Sequence, residues 1–158
     1  MLAVMLGIIA LPFILLHNNH LRKKRKFMDE LLSLSEGSHP ILSDHDFWRN
    51  RYAIGLDSEN KKLFYINKLK ETSFVLDLKE FVSCRIISST RGISGSNSTG
   101  SVIEKLDLAL SPVSGTGSET ILEFFDHDVY MTPDGEIPLI EKWNSIIGSS
   151  IKRKNRNL

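Results

Sequence analysis

The stretch Arg51–Ile66, RYAIGLDSENKKLFYI, predicts the centre of the fold. Tyr52, Ile54 and Leu56 recur at every second position, which places their side chains on one face of a β-strand. The polar run Asp57–Asn60 is typical of a turn, and the apolar, aromatic run after it predicts a second strand. Together they predict an antiparallel hairpin with a four-residue loop.

Further strands follow the hairpin, because short apolar runs alternate with polar or glycine-rich stretches. They are predicted at Ser73–Leu78, Phe81–Ser89, Val102–Leu110 and Glu119–Phe125, with a short seventh strand at Val129–Met131. The stretch Arg91–Ser101 predicts a flexible loop, since Gly and Ser dominate it. Alternation places Val82, Cys84 and Ile86 on one face of their strand, and it turns Leu106, Leu108 and Leu110 inward.

The last element is predicted to be a helix. Its signals are apolar residues at three- and four-residue spacing, a proline suited to a first turn and a glycine suited to a C-terminal cap. These are Ile140, Trp143, Ile146 and Ile147, then Pro138 and Gly148. We expect Trp143 to plug one end of the β-structure, because large aromatic side chains dominate core packing.

Six or seven short antiparallel strands closed by one C-terminal helix resemble the pleckstrin-homology-like (PH-like) superfold, in the form found in bacterial membrane-tethered proteins. Tyr52–Asp57, Lys62–Ile66 and Pro138–Trp143 carry the resemblance, which spans residues 47–148. It implies an α+β, mainly β, barrel or sandwich that docks proteins, peptides or lipid headgroups and is not catalytic. Lipid-binding members carry bases in the loop between their first two strands, predicted here to be Asp57–Asn60.

Residues 1–16, MLAVMLGIIALPFILL, contain no charged side chain. A cluster of five bases follows: Arg22, Lys23, Lys24, Arg25 and Lys26. An apolar helix stopped by bases predicts a single-pass anchor in the inner (plasma) membrane over residues 1–21, with the N-terminus outside and the following domain cytoplasmic. A cleaved signal peptide and a buried or interfacial segment are the alternatives.

Residues 21–35 have the apolar spacing of a juxtamembrane helix, which the Glu36–Pro40 stretch ends. Its apolar face is expected to lie on the bilayer, on the domain or against a second copy, and the sequence leaves all three open. The predicted organisation is an anchor at 1–21, a basic cluster, helix and linker at 22–40, a PH-like β domain with its helix at 41–148, and a basic flexible tail at 149–158.

The net charge of +1 conceals an uneven distribution. Nine of the 20 bases lie at the two ends, while all 19 acids lie between them. The expected membrane-surface residues are Arg22, Lys23, Lys24, Arg25 and Lys26, with Lys152, Arg153, Lys154 and Arg156 in the tail. The acidic middle argues against general binding of nucleic acid or anionic lipid, although it leaves room for a local basic pocket.

Cys84 is the single cysteine, which excludes an internal disulfide and a cysteine zinc site, and we expect it to be buried.

A repeated tripeptide is the remaining candidate for chemistry. Asp44-His45-Asp46 and Asp126-His127-Asp128 each place two carboxylates on one side of an extended segment. If the two copies met, they would form a hard-metal site or an acid–base pair. Alternatively, the Asp residues mark turns and helix starts. The sequence contains neither a nucleophile elbow nor a dinucleotide-binding motif.

The leading expectation is a membrane-anchored cytoplasmic interaction module without catalysis or cofactor, an adaptor or accessory subunit of an inner-membrane protein assembly. Its expected partners are the bilayer, through residues 1–26, and a membrane protein or a second copy of the chain, but not nucleic acid. One alternative is a metal-dependent enzyme or sensor that uses the two Asp-His-Asp copies. A lipid-headgroup sensor is the other.

Overall fold

The structure is a computed structural model that describes residues 22–35, 40–95, 98–114 and 117–152. Helix α1 covers residues 22–33. The strands are β1 (Asp44–Trp48), β2 (Tyr52–Asp57), β3 (Lys62–Asn67), β4 (Thr72–Asp77), β5 (Phe81–Gly95), β6 (Ser98–Pro112) and β7 (Thr120–Asp126). A 3₁₀ turn at Leu78–Glu80 separates β4 from β5, and helix α2 (Glu136–Lys152) follows β7.

The chain is α+β and mainly β, as predicted. Strands β1 to β4 form one antiparallel sheet in chain order, and β5 to β7 form a second. The predicted central hairpin is confirmed as β2–β3, in which Asp57 pairs with Lys62 and Tyr52 with Asn67. Residues 58–61 form its loop.

One hydrophobic core lies between the two sheets and α2. Both inward-facing sets named from alternation in β2 and β6 reach it: Tyr52, Ile54, Leu56, Leu106, Leu108 and Leu110. Trp143 of α2 is fully buried there, as predicted. Its indole Nε1 also donates a hydrogen bond to Asp46 at 2.8 Å, which ties α2 to β1.

A second, smaller cluster covers the outer face of the four-stranded sheet. Phe27 and Leu31 of α1 pack there against Ala53, Phe64 and Ile66. All six residues of β2 are buried, because the main core covers one face of the strand and α1 lies over the other. Of the three alternatives for the apolar face of this helix, the structure therefore selects the domain.

Gly55 leaves room for close packing on this outer face. A Cβ atom at position 55 would lie 2.9 Å from Leu42 Cδ1 and 3.6 Å from Leu31 Cδ1. A side chain at position 55 would therefore require the Leu42 side chain to move.

The structure contains a first strand, β1, that the sequence did not predict. Two Asp residues favour a turn at 44–46, but this segment lies inside β1, which pairs with β2 along its whole length. Aromatic packing stabilises the strand, since Phe47 packs against the α1 cluster and Trp48 stacks on Tyr52 at 5.1 Å between ring centroids. The predicted first loop, Asp57–Asn60, therefore belongs to the second turn of the sheet.

Two predictions about the three-stranded sheet were also wrong. In the Gly- and Ser-rich stretch, residues 91–95 and 98–101 continue the β5–β6 ladder, where Gly92 pairs with Ser101, because ladder hydrogen bonds come from the backbone. Val82 is 51% exposed, because a register shift between Phe81 and Ser83 turns it outward. Cys84 is only partly buried, although it packs against the core, and burial raises the pKa of its thiol to about 12.

The end of the chain differs from expectation at two places. Val129–Met131 is not a strand, since the backbone N–H groups of Val129 and Tyr130 both donate to Asp126 in a turn. Helix α2 begins at Glu136 and continues through Gly148 to Lys152, because Ile147 and Ile151 are both buried in the core.

Among the described residues, none of the helices has the length and apolar character needed to cross a bilayer. The predicted anchor at 1–21 lies outside the described residues. So do the tail bases Arg153, Lys154 and Arg156.

Replacing Leu31 tests the packing of α1. Leu31→Ala removes a fully buried side chain from the outer cluster and should lower the free energy of unfolding by about 2–5 kcal/mol. Leu32→Ala, the same change at a half-buried neighbour outside the cluster, is the control and should cost clearly less. Urea unfolding of the full chain in detergent, followed by tryptophan fluorescence, measures both. Equal costs for the two variants would contradict the packing described here.

Candidate functional site

The turn between β1 and β2 has an unusual backbone. Arg49 and Asn50 adopt φ values of 50° and 51°, and the N–H of Arg51 donates to the carbonyl of Trp48 at 3.2 Å. Two successive positive φ angles define a type I′ turn, the geometry that matches the twist of a two-stranded hairpin. Arginine rarely occupies this left-handed region, so contacts of its side chain must hold it there.

Three contacts hold Arg49. Its Nε donates to Glu136 Oε1 at 2.5 Å, and its Nη2 donates to the carbonyl of Thr132 at 2.9 Å. The guanidinium carbon also lies 4.7 Å from the centre of the Tyr130 ring, a cation–π distance. Because Glu136 is only 1% exposed, Arg49 supplies the charge that its buried carboxylate needs. Arg49 therefore joins the first turn to the segment between β7 and α2.

The turn between β3 and β4 lies beside the first one. The N–H of Lys68 donates to the carbonyl of Arg51 at 2.9 Å. The Lys68 ammonium lies 2.5 Å from Glu30 Oε2 of α1 and 4.2 Å from the centre of the Phe27 ring. These contacts bring α1 and the two turns together.

Helix α1 and these two turns line an open cavity of about 500 Å³, which we call the basic pocket. Its lining residues are Lys23, Lys26, Phe27, Arg49, Asn50, Arg51 and Lys68. Five of the seven are bases and none is an acid. Arg49 and Lys68 have acidic partners, whereas Lys23, Lys26 and Arg51 make no ion pair with any other residue that the structure describes. Three uncompensated cations in one concave site favour an anion, and a phosphate group matches guanidinium and ammonium donors.

The predicted membrane-surface bases divide between two places. Lys23 and Lys26 line the basic pocket, and the other three bases of the cluster (Arg22, Lys24 and Arg25) are exposed on the same helix. Lys152 is exposed at the end of α2. Sequence reasoning missed Arg49, Arg51 and Lys68. An Arg-Asn pair between two aromatic-containing segments is the one signal of the type I′ turn, and it is weak without glycine.

A second polar cluster lies where β3 and β4 approach β6 and β7. The Glu123 carboxylate is 7% exposed and accepts hydrogen bonds from Tyr52 Oη at 3.0 Å, Asn67 Nδ2 at 3.2 Å and Lys70 Nζ at 2.5 Å. Tyr65 Oη donates to the backbone carbonyl of Glu123 at 2.6 Å. Side chains of the first sheet thus satisfy a buried acid of the second, and this cluster holds the two sheets together.

Asp107 borders the same cluster, in a cavity of about 320 Å³. Burial, together with the nearby Glu123 charge, raises the pKa of Asp107 to about 6. Lys105 and Lys70 act in the opposite direction, and Asp126 adds to the rise. Ionisation of the Asp107 carboxyl group in the folded protein therefore costs free energy.

The structure places the two Asp-His-Asp copies in different surroundings. Asp44, His45 and Asp46 lie in β1, where Asp46 accepts from Lys142 Nζ at 2.6 Å and from Trp143. The other copy ends β7, where Asp126 is buried 3.4 Å from Lys105 Nζ, and His127 and Asp128 begin the next turn. The described part of the chain contains no group of three or more His, Cys, Asp or Glu residues able to hold a metal ion, so the two copies do not combine into one.

No protein-family model matches this chain, and comparisons with curated proteins and with solved structures find no match either. We therefore infer function from the fold, the basic pocket and the sequence.

Replacing Asp107 should change how stability depends on pH. An acid with a raised pKa in the folded state destabilises the fold once it ionises, so this penalty is absent near pH 4 and complete above about pH 6. Asp107→Asn should therefore raise the free energy of unfolding by about 2 kcal/mol near neutral pH and by little near pH 4. Urea unfolding at the two pH values measures the difference.

Asp128→Asn is the matched control, because Asp128 is exposed two residues beyond β7. It removes the same charge at an exposed site, and its effect is subtracted from that of Asp107→Asn at each pH value. If Asp107→Asn gave the same gain near pH 4 as near neutral pH, ionisation of this group would not be the cause.

Proposed function

We propose that this chain is a single-pass, membrane-anchored interaction module without catalytic activity, held against the cytoplasmic surface of the inner membrane. The apolar run at 1–16 and the five bases after it support the anchor and its orientation. The seven antiparallel strands and C-terminal helix support a PH-like domain. An adaptor or accessory role in a membrane-protein assembly is part of the same proposal.

The packing of α1 supports a fixed orientation at the membrane. Because Phe27 and Leu31 are buried against the sheet, packing of α1 attaches the bases at 22–26 to the β domain. Each base near an anionic leaflet contributes about 1 kcal/mol of attraction. The domain is therefore held close to the bilayer with the α1 side facing it, instead of hanging from a flexible linker.

The basic pocket supports a more specific interaction, the binding of a phosphate-bearing lipid headgroup. The observation that carries it is the convergence of Lys23, Lys26 and Arg51, from α1 and the first turn, with no acidic partner among the described residues. The two bases from α1 come from the segment nearest the predicted anchor, so the pocket lies where headgroup phosphates are available. This favours the lipid-headgroup alternative within the membrane-anchored module.

Charge reversal in the pocket tests this proposal. In the purified full chain in neutral detergent, Lys26→Glu combined with Arg51→Glu should weaken binding of short-chain phosphatidylglycerol by about tenfold or more. Both side chains are exposed, so the fold should survive. Calorimetric titration with phosphatidylglycerol, phosphatidylcholine and inorganic phosphate separates lipid headgroup binding from binding of the free anion.

The control reverses Arg85 and Arg91, exposed bases of β5 outside the pocket that pair with Glu119 and Glu104, and thermal unfolding first shows that this variant folds. This double variant has the same net charge and should bind phosphatidylglycerol like the wild type. Equal weakening by both double variants would show a general charge effect and would refute the pocket.

A further inference from the structure

The segment between β7 and α2, residues 127–135, presents apolar side chains to solvent. Met131 is 84% exposed and Val129 is 47% exposed. Tyr130, between them, packs instead against the main core and under the Arg49 guanidinium. The segment is therefore held in place at its centre while its two apolar neighbours point outward.

This segment borders the basic pocket. Arg49 lines the pocket and at the same time contacts Thr132 and Tyr130, so one side chain joins the two features. Exposed apolar side chains beside a group of bases are the combination that binds at a membrane interface, because the bases attract anionic headgroups and the apolar groups leave water.

We propose that Val129 and Met131 form a second membrane contact, entering the headgroup region of the bilayer beside the basic pocket. The inference rests on the proposed function, since it requires α1 to lie at the bilayer surface. Asp128 and Asp134 are exposed near the two ends of the segment, which limits the contact to headgroup depth. With α1 as one contact and this segment as another, the tilt of the domain on the membrane is defined.

Arg49 is the positioning residue of this contact. It joins the first turn to Thr132 and Tyr130 and neutralises the buried Glu136 at the start of α2. Through these contacts, Arg49 holds the segment that carries the apolar pair beside the basic pocket.

Fluorescence quenching tests the contact on the full chain in vesicles of phosphatidylcholine and phosphatidylglycerol. In a Cys84→Ala background, an environment-sensitive dye is attached through Met131→Cys, Lys24→Cys or Val113→Cys. A nitroxide on the lipid headgroups should strongly quench the dye at positions 131 and 24. The dye at 113 should remain unquenched. Val113 follows Leu110, which pairs with Thr120 at the start of β7, and the 127–135 segment begins at the other end of that strand, about 20 Å away.

The labelled positions separate the two proposals. Quenching at 24 without quenching at 131 would refute the second contact and leave the proposed function standing. Absence of quenching at both 24 and 131 would overturn the proposed function as well. Quenching at 113 equal to that at 131 would refute the orientation.

A pair of exposed valines provides a further variant and its control. With the dye at 131, Val129→Asp should reduce quenching several-fold, because a new charge must leave the interface. Val113→Asp introduces the same charge at a residue of similar exposure, 54%, and should leave quenching unchanged. Equal quenching in both variants would contradict a role for Val129.

Discussion

The packing of Phe27 and Leu31 onto the four-stranded sheet is the interaction on which the rest of the structure depends. An antiparallel sheet commonly leaves one face to solvent, but here Ala53, Phe64 and Ile66 make the outer face apolar, and α1 covers it. The same contact brings the bases of α1 against two turns of the sheet. Burial of apolar surface and assembly of the basic pocket therefore have one cause.

Alternation of apolar and polar residues predicted the strands whose pattern can be read from a few neighbouring residues. The β2–β3 hairpin and the inward face of β6 follow directly from it, because one face of each meets the core. β1 was missed because its two Asp residues disfavour a strand, whereas pairing with β2 and the stacking of Trp48 decide its structure. The glycine-rich part of the β5–β6 ladder was also not predicted. Pairing with the partner strand decides its structure, whereas its local composition favours a loop.

Only part of the candidate site could be predicted from the sequence. Lys23 and Lys26 belong to a contiguous basic run, which is visible at once. Arg51 and Lys68 come from different turns, and the hydrogen bond between their backbones brings them together only in the folded chain.

The overall charge of the middle of the chain also did not predict the basic pocket. Several of its acids, including Glu123 and Glu136, are buried and paired with bases of the domain. An acidic composition therefore coexists with a basic concave site, because buried acids do not contribute to the surface as exposed ones do.

The contacts between the two ends of the domain have a consequence for its synthesis. Asp46 accepts from Trp143, Arg49 binds Glu136, and Lys61 donates to the carbonyl of Ser150 at 3.1 Å. The core therefore cannot close until the ribosome has released residues beyond 150, long after β1 and β2 have been made. At about 5–20 residues per second, the strands wait several seconds with apolar surface uncovered. A chaperone that acts on the nascent chain would therefore meet the strands while their apolar faces are still uncovered.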